Sequence, residues 1–477
     1  MKIQFALPLI ISALVLSGCA NKTNNTNKES SNGQDNSSIT SDPSSEDSEK
    51  YRDYEEKEIQ FTLEPFMSGG QSSYTLPVTY KKSSFTQPST TFDKDLAMLS
   101  FGLSASSGVK RYLKAFYEDL DFDEIILSES YSIKPTQDSV AYAIAHRKVA
   151  GKDLVAVSLR SNNYFNEWAN NFELGAEGNH VGFEKSSQIV FDAVESYLED
   201  KNYNNAETKV WVTGYSRGAA QASMVADKIM RSDSLLIKTE NLYAYTFEAP
   251  RAFALSNVVD YENIHNVFNN ADIIANFAPE GYGLYHTGKE YDTYSTNVEQ
   301  YLYELDPNLV LPTMDLDGVD YTNDLDHVTS ILEHLLADND YTEDSGFKPY
   351  CPTREDFASK YQAAIVNAIN LYFSLSENTK DKIQQGFSNL SLLEKMYLLM
   401  EDGIYNFLKP YIAADGVEYD DALLKATCNR LLSFIKYPGA SVLSEALAYS
   451  SNLQRMIYFH TLEVNYVLLK NYEFVQD

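Results

Sequence analysis

Between residue 58 and about residue 300, short apolar runs alternate with stretches whose apolar positions recur at helical spacing. Val140–His146 and Leu154–Leu159 read as strands. After Gly182, apolar residues fall at Val190, Ala193, Val194, Tyr197 and Leu198, the stripe of a helix that buries one face. Val210–Thr213 is a short β-rich run. It leads through a glycine-bounded turn into a second helical stretch, Ala219–Met230. Leu242–Phe247 and Ile264–Phe268 read as further strands. This alternation predicts an α/β fold with a mostly parallel sheet.

From residue 301 to about 445 the pattern changes. Thr353 follows Pro352 and precedes Arg354, Glu355 and Asp356, so a hydroxyl can cap a helix start that acids favour. Phe357, Tyr361, Ala364, Ile365, Ala368 and Tyr372 then keep helical spacing. Leu390–Met400 and Ala422–Ile435 are also helix-like. The segment reads as a helical insertion or cap on the α/β core. Its large apolar residues, including Phe357, Tyr361, Ile365, Tyr372, Leu393, Met396, Tyr397 and Leu399, are expected mostly in a core, some of them lining a substrate cleft. Residues 446–477 then return to the core.

The N-terminal pattern is different again. Lys2 precedes an apolar run, Ile3–Leu16, that is too short and too interrupted to span a bilayer, which takes about 20 apolar residues. Leu16-Ser17-Gly18-Cys19 resembles a bacterial lipobox. Residues 1–19 are therefore expected to be a lipoprotein signal peptide, with Cys19 lipidated. Residues 20–57 are rich in Asn, Ser, Asp, Glu and Thr. With little to bury, they read as a flexible tether. The expected location is the bacterial cell envelope, lipid-anchored on the extracytoplasmic side.

Composition narrows the function classes. Lys and Arg total 38 against 68 Asp and Glu, a formal charge of −30. A phosphate-binding surface needs an excess of cations, so nucleic acid is not an expected partner. Anchoring through a basic patch on anionic lipid is disfavoured in the same way. Beyond Cys19 there are only Cys351 and Cys428, which could pair outside the cytoplasm or remain buried thiols. With no CxxC and no Cys/His cluster, no metal site or cofactor is expected.

The strongest chemical signal is Gly214-Tyr215-Ser216-Arg217-Gly218, a G-x-S-x-G turn between a strand and a helix. Such a turn projects the serine hydroxyl at a helix N-terminus, where the dipole favours a developing anion. The backbone N–H of Arg217 is placed to donate to an oxyanion. A serine needs a base, and the base needs an orienting carboxylate. In the chain order serine, acid, histidine, His146 and His180 come too early. His265, His286, His327, His334 and His460 remain.

Arg160-Ser161-Asn162, Glu167-Trp168, Asn171-Phe172, His180-Val-Gly-Phe183, the turn at Ser216, Phe247-Glu-Ala-Pro250-Arg251, Phe268-Asn-Asn-Ala-Asp272 and Pro279–His286 occur in one order. Together they resemble the fungal-type, or class 3, lipases, over about residues 85–290 and a short C-terminal piece. The chain looks like a bacterial lipoprotein member of that family. The resemblance implies an α/β-hydrolase fold, a lipid or ester substrate, Ser216 as nucleophile and Asp272 as acid. It favours His460, in Phe459-His460-Thr-Leu-Glu463-Val-Asn-Tyr466, as base, with His286 near the sheet edge in a structural place. The second oxyanion donor falls on Asn162. The chain departs from the family pattern at Ser161 and Asn162, which replace a glycine and a hydroxyl residue, and at Tyr215, which replaces a histidine. Arg160 and Trp168 are expected to be structural. Two other readings stay open: a surface binding protein without catalysis on a hydrolase scaffold, and a serine peptidase or amidase. Oligomeric state is not indicated.

Overall fold

The structure is a computed structural model that describes residues 53–65, 70–133, 136, 139–160, 165–272, 274–276, 282–309, 353–398, 400–436 and 458–474. Cys19, Asn162, His327, His334 and Cys351 lie outside the described residues.

The elements follow the chain as β1 (Glu56–Leu63), β2 (Tyr74–Lys81), α1 (Lys94–Ser106), α2 (Lys110–Asp119), β3 (Glu124–Leu127), β4 (Tyr142–Val149), β5 (Lys152–Leu159), α3 (Val181–Asp200), β6 (Lys209–Tyr215), α4 (Arg217–Arg231), β7 (Leu242–Phe247), β8 (Ile264–Phe268), β9 (Lys289–Asp292) and α5 (Val298–Leu305). Strand β1 begins within the last two residues of the expected tether. A seven-stranded sheet runs in the order β9-β8-β7-β6-β5-β4-β3. Its pairs from β9 to β5 are parallel, and β5–β4 and β4–β3 are antiparallel. The sheet is thus mostly parallel, with an antiparallel edge, and β1 and β2 form a separate antiparallel pair.

Side chains along the central strands alternate between two buried layers, as strand geometry requires. Val210, Val212, Leu242, Ala244 and Ile264 face one layer, with residues of α3 and α4. Trp211, Tyr243, Tyr245, Phe247 and Val267 face the other, with Phe85, Phe101 and the apolar side of β1 and β2. The first face is aliphatic and lets α3 and α4 lie close. The second is aromatic, with Phe101 edge-on to Phe247 and Phe85 edge-on to Trp211.

His180 caps α3. Its Nδ1 accepts from the Phe183 N–H and its Nε2 donates to the Asn171 carbonyl, a pair of partners that only the neutral ring satisfies. Burial pulls its pKa down to about 3. As pH falls from about 6.5, the unfolded chain takes up a proton at this position that the folded chain refuses. This part of the stability is therefore full above that pH and is lost as pH drops toward the folded value. Urea melts across pH 4–7 will show the His180→Gln variant taking up about one proton fewer on unfolding at pH 5. An unchanged proton uptake will exclude the buried neutral ring.

The helical segment comprises a turn at Arg354–Phe357, a π-turn over Ala358–Gln362, α6 (Ala363–Ser374), α7 (Glu377–Asn389), α8 (Leu392–Leu398), α9 (Gly403–Asp415) and α10 (Asp421–Lys436). Thr353 caps its start by accepting from the Asp356 N–H. The buried Arg354 guanidinium binds the carbonyls of Leu174, Gly175, Glu177, Gly178 and Asn179, which ties the segment to the core loop before α3. Val366 and Ile369 of α6 pack on Ala169 and Trp168. Phe357 and Tyr361 are buried as expected, but Leu393 and Tyr397 are 62% and 58% exposed. Their helical spacing did not translate into a core position, because α8 turns that side to solvent. Cys428 is a buried free thiol that burial pushes up to about 12. The last described element, α11 (Leu462–Asn471), packs on α1 and α5.

Candidate active site

Strand β6 ends at Tyr215 and α4 begins at Arg217, which leaves Ser216 alone in the turn with φ +55° and ψ −129°. Its N–H donates to the Phe247 carbonyl of β7, which fixes the turn to the neighbouring strand. A side chain at Gly214 would collide with the Gly218 carbonyl, and a Cβ at Gly218 would lie 2.8 Å from the Arg160 carbonyl. Both glycines are therefore required by close approach, and Ser216 carries the strain between them.

The structure brings Ser216, His460 and Asp272 together. His460 Nε2 lies 2.7 Å from Ser216 Oγ, and His460 Nδ1 lies 2.5 Å from Asp272 Oδ2. The hydroxyl faces one ring nitrogen while the carboxylate holds the other, so the ring is set as Nδ1–H with Nε2 free to accept. Asp272 is fully buried, and its Oδ1 accepts from the Ile274 N–H at 2.7 Å. It follows β8 by four residues and so stands at the C-terminal edge of the sheet beside the Ser216 turn.

His460 reaches the site from the loop before α11. Asn465 Nδ2 donates to the Phe459 and Thr461 carbonyls and to the Tyr215 hydroxyl, and that hydroxyl donates to the His460 carbonyl at 2.9 Å. Tyr215, a departure from the family pattern, thus has a partner that the sequence around it does not reveal. Burial and the nearby Glu248 and Asp272 carboxyls push its phenol well up, so it remains a donor. Asn269, three residues before Asp272, extends the network with Nδ2 bonds to the Phe459 carbonyl and Asn465 Oδ1. The sequence reading missed the roles of Asn269 and Asn465, since their partners lie 190 and 250 residues away.

Arg217 is the first residue of α4, where an N–H has no acceptor within the helix. Its buried side chain binds Glu167 at 3.0 Å and Asn170 at 3.0 Å. Glu167 also binds Arg160, so one fully buried carboxylate holds two guanidiniums. Burial pushes Glu167 up, against the opposing charges of Arg217 and Arg160. This cluster brackets residues 161–164, where Asn162, the expected second oxyanion donor, lies outside the described residues. His286 is not part of the site. Its ring nitrogens meet the Ala249 carbonyl and Glu290.

A strained serine between a parallel strand and a helix, with an acid and a histidine delivered to the same sheet edge, defines the α/β-hydrolase class of folds. Within it, residues 153–282 match the family of class 3 lipases. A lipase of Rhizomucor miehei is 30% identical over 167 residues, 33% of this chain and 42% of that protein. A lipase of Rhizopus niveus is 24% identical over 163 residues, 33% of this chain and 38% of that protein. This chain thus spans about two fifths of the length of the curated relatives it matches. The solved triacylglyceride lipase of Rhizomucor miehei aligns at a TM-score of 0.34 and 20% identity, over 43% of this chain and 81% of that one.

Proposed function

We propose that this chain is a lipase-like serine hydrolase of carboxylic esters, held on the extracytoplasmic side of a bacterial envelope membrane by a lipid on Cys19. The observation that carries the reading is the short relay from Ser216 through His460 to the buried Asp272. Ser216 Oγ attacks the ester carbonyl while His460 Nε2 takes its proton. The imidazolium so formed is stabilised by Asp272 and returns the proton to the leaving alcohol. The tetrahedral oxyanion accepts from the N–H groups of Arg217 and Asn162, and the first of these donors also has the helix dipole of α4 behind it. Water then repeats the sequence on the acyl-enzyme. The lipid or acyl-ester substrate class is supported by the lipase relatives, and the anchor by Leu16-Ser17-Gly18-Cys19 and the polar stretch behind it.

A fluorophosphonate probe and a series of p-nitrophenyl esters test this directly. The wild-type chain is expected to label and to hydrolyse longer acyl esters faster than acetate, and Ser216→Ala to do neither. A chain that does not label is a binding protein on this scaffold. One that labels but cleaves amides in preference to esters is a peptidase or amidase. In the same host, Cys19→Ser should leave the membrane fraction or retain its signal. An unchanged location and N-terminus will remove the anchor from the proposal.

A further inference from the structure

A second acid stands behind Asp272. Glu248 follows β7 directly, is 1% exposed, and has φ +52°, a left-handed conformation that favours glycine. The chain therefore keeps a buried carboxyl where the backbone prefers no side chain. Among the described residues no cation pairs with it. Its oxygens accept from the Asn269 N–H and Nδ2, both at 3.3 Å. The Asn269 carbonyl in turn accepts from the Asp272 N–H at 3.0 Å, so one residue brings the two buried acids together, and the Asp272 charge acts on Glu248.

Two carboxyls in such contact, away from water, need one proton between them. Asp272 already accepts the imidazole N–H and the Ile274 N–H. Burial, and then the Asp272 charge, push Glu248 well above the usual carboxylate range. Among the described residues, His460 is bonded to Asp272, and the Tyr215 phenol at the end of β6 lies within the field of both acids and of Glu463.

We propose that Glu248 is a positioning residue that stays protonated and donates a hydrogen bond to the Asp272 carboxylate, fixing its orientation toward His460 and tempering its charge. This deepens the hydrolase reading and rests on it. A neutral donor draws negative charge away from the His460 side of Asp272. Losing it leaves a more basic carboxylate beside the ring, a more stable imidazolium and a base that gives up its proton less readily.

The test compares Glu248→Gln and Glu248→Ala by the pH profile of kcat/KM on a p-nitrophenyl ester. Glu248→Gln keeps a neutral donor, so its activity should stay within about threefold of wild type with the acid limb unmoved. Glu248→Ala should shift that limb to higher pH and lower kcat by about tenfold or more, as expected when one charge-assisted hydrogen bond is lost. An acid limb that moves to lower pH in Glu248→Gln means that Glu248 is ionised and overturns the proposal. Unchanged profiles in every folded variant make Glu248 only a filler of space and overturn it equally. Infrared spectra at neutral pH supply a readout independent of hydrolysis. A protonated-carboxyl band present in Ser216→Ala and absent in the Ser216→Ala/Glu248→Gln double variant supports the proton on Glu248 even if no ester is cleaved, whereas its absence from the single variant overturns it.

Discussion

Replacing His460 with alanine will lower turnover by about 10,000-fold or more, as much as Ser216→Ala, and the double variant will be no worse than either. The expectation follows from how the imidazole is held. Nε2 is 2.7 Å from the serine hydroxyl and Nδ1 is 2.5 Å from a fully buried carboxylate, so one ring links the two other members. Without it, Ser216 has no proton acceptor and Asp272 nothing to orient, and groups that act as a unit do not lose activity additively. His286→Ala is the control. Its ring is engaged with Ala249 and Glu290, so any loss there should track stability. The measurement is kcat on a soluble ester, with circular dichroism to establish folding. A His460→Ala enzyme that retains a tenth of the activity will place the base elsewhere.

Glu167→Ala will destabilise the fold by about 3–5 kcal/mol, the range for breaking a buried ion pair by removing one partner. Glu167 is fully buried and accepts from both Arg160 and Arg217, whose side chains are themselves 7% and 2% exposed. Its loss strands two guanidiniums away from water. Of the hydrogen bonds that remain to them, the Arg217 bond to Asn170 and the Arg160 bond to the Ser130 carbonyl provide no countercharge. Glu167→Gln keeps acceptor geometry on one oxygen and should lose less. Urea denaturation followed by fluorescence will read the change as a lower midpoint at constant m. A loss under about 1 kcal/mol will mean that the cluster is solvated, with the energetics of a surface pair.

The parts of this architecture that were legible in the sequence are those whose signal is local. Leu242–Phe247 and Ile264–Phe268 show as runs of strand-forming residues, and the structure has strands over the same residues. The turn at Ser216 is legible because its two glycines answer to contacts within a few residues or with the adjacent strand. Helix α1 was missed for a physical reason. Leu96, Leu99, Phe101 and Leu103 are buried, with Ser100, Gly102 and Ser104 buried between them, so the helix has no polar face and no amphipathic stripe to detect. Strand β1 does alternate, with Ile59, Phe61 and Leu63 inward, but it adjoins a polar stretch that obscures where the fold begins. Tyr215 reads as a weakness until its hydroxyl is seen on the His460 carbonyl, 245 residues on. Glu248 passed unremarked in the sequence, because its positive φ and its burial beside Asp272 appear only once the strand ends are brought together.

The docking of α11 separates two events that are often treated as one. Nothing in the seven-stranded sheet contains the base. It arrives 188 residues after the acid, on a loop held by Asn465, Asn269 and Tyr215, with α11 seated on α1 and α5 and closed at its end by Lys94 on the Lys470 and Tyr472 carbonyls. Elements held by their own set of contacts can open as a unit below the free energy of global unfolding. The Ser216–His460 contact therefore reports whether one helix is seated, and it can be broken while the sheet, the strained turn and Asp272 stay in place. Heating would then extinguish the proton relay before the circular dichroism of the sheet changes, and cooling would restore it at the rate of a single docking step.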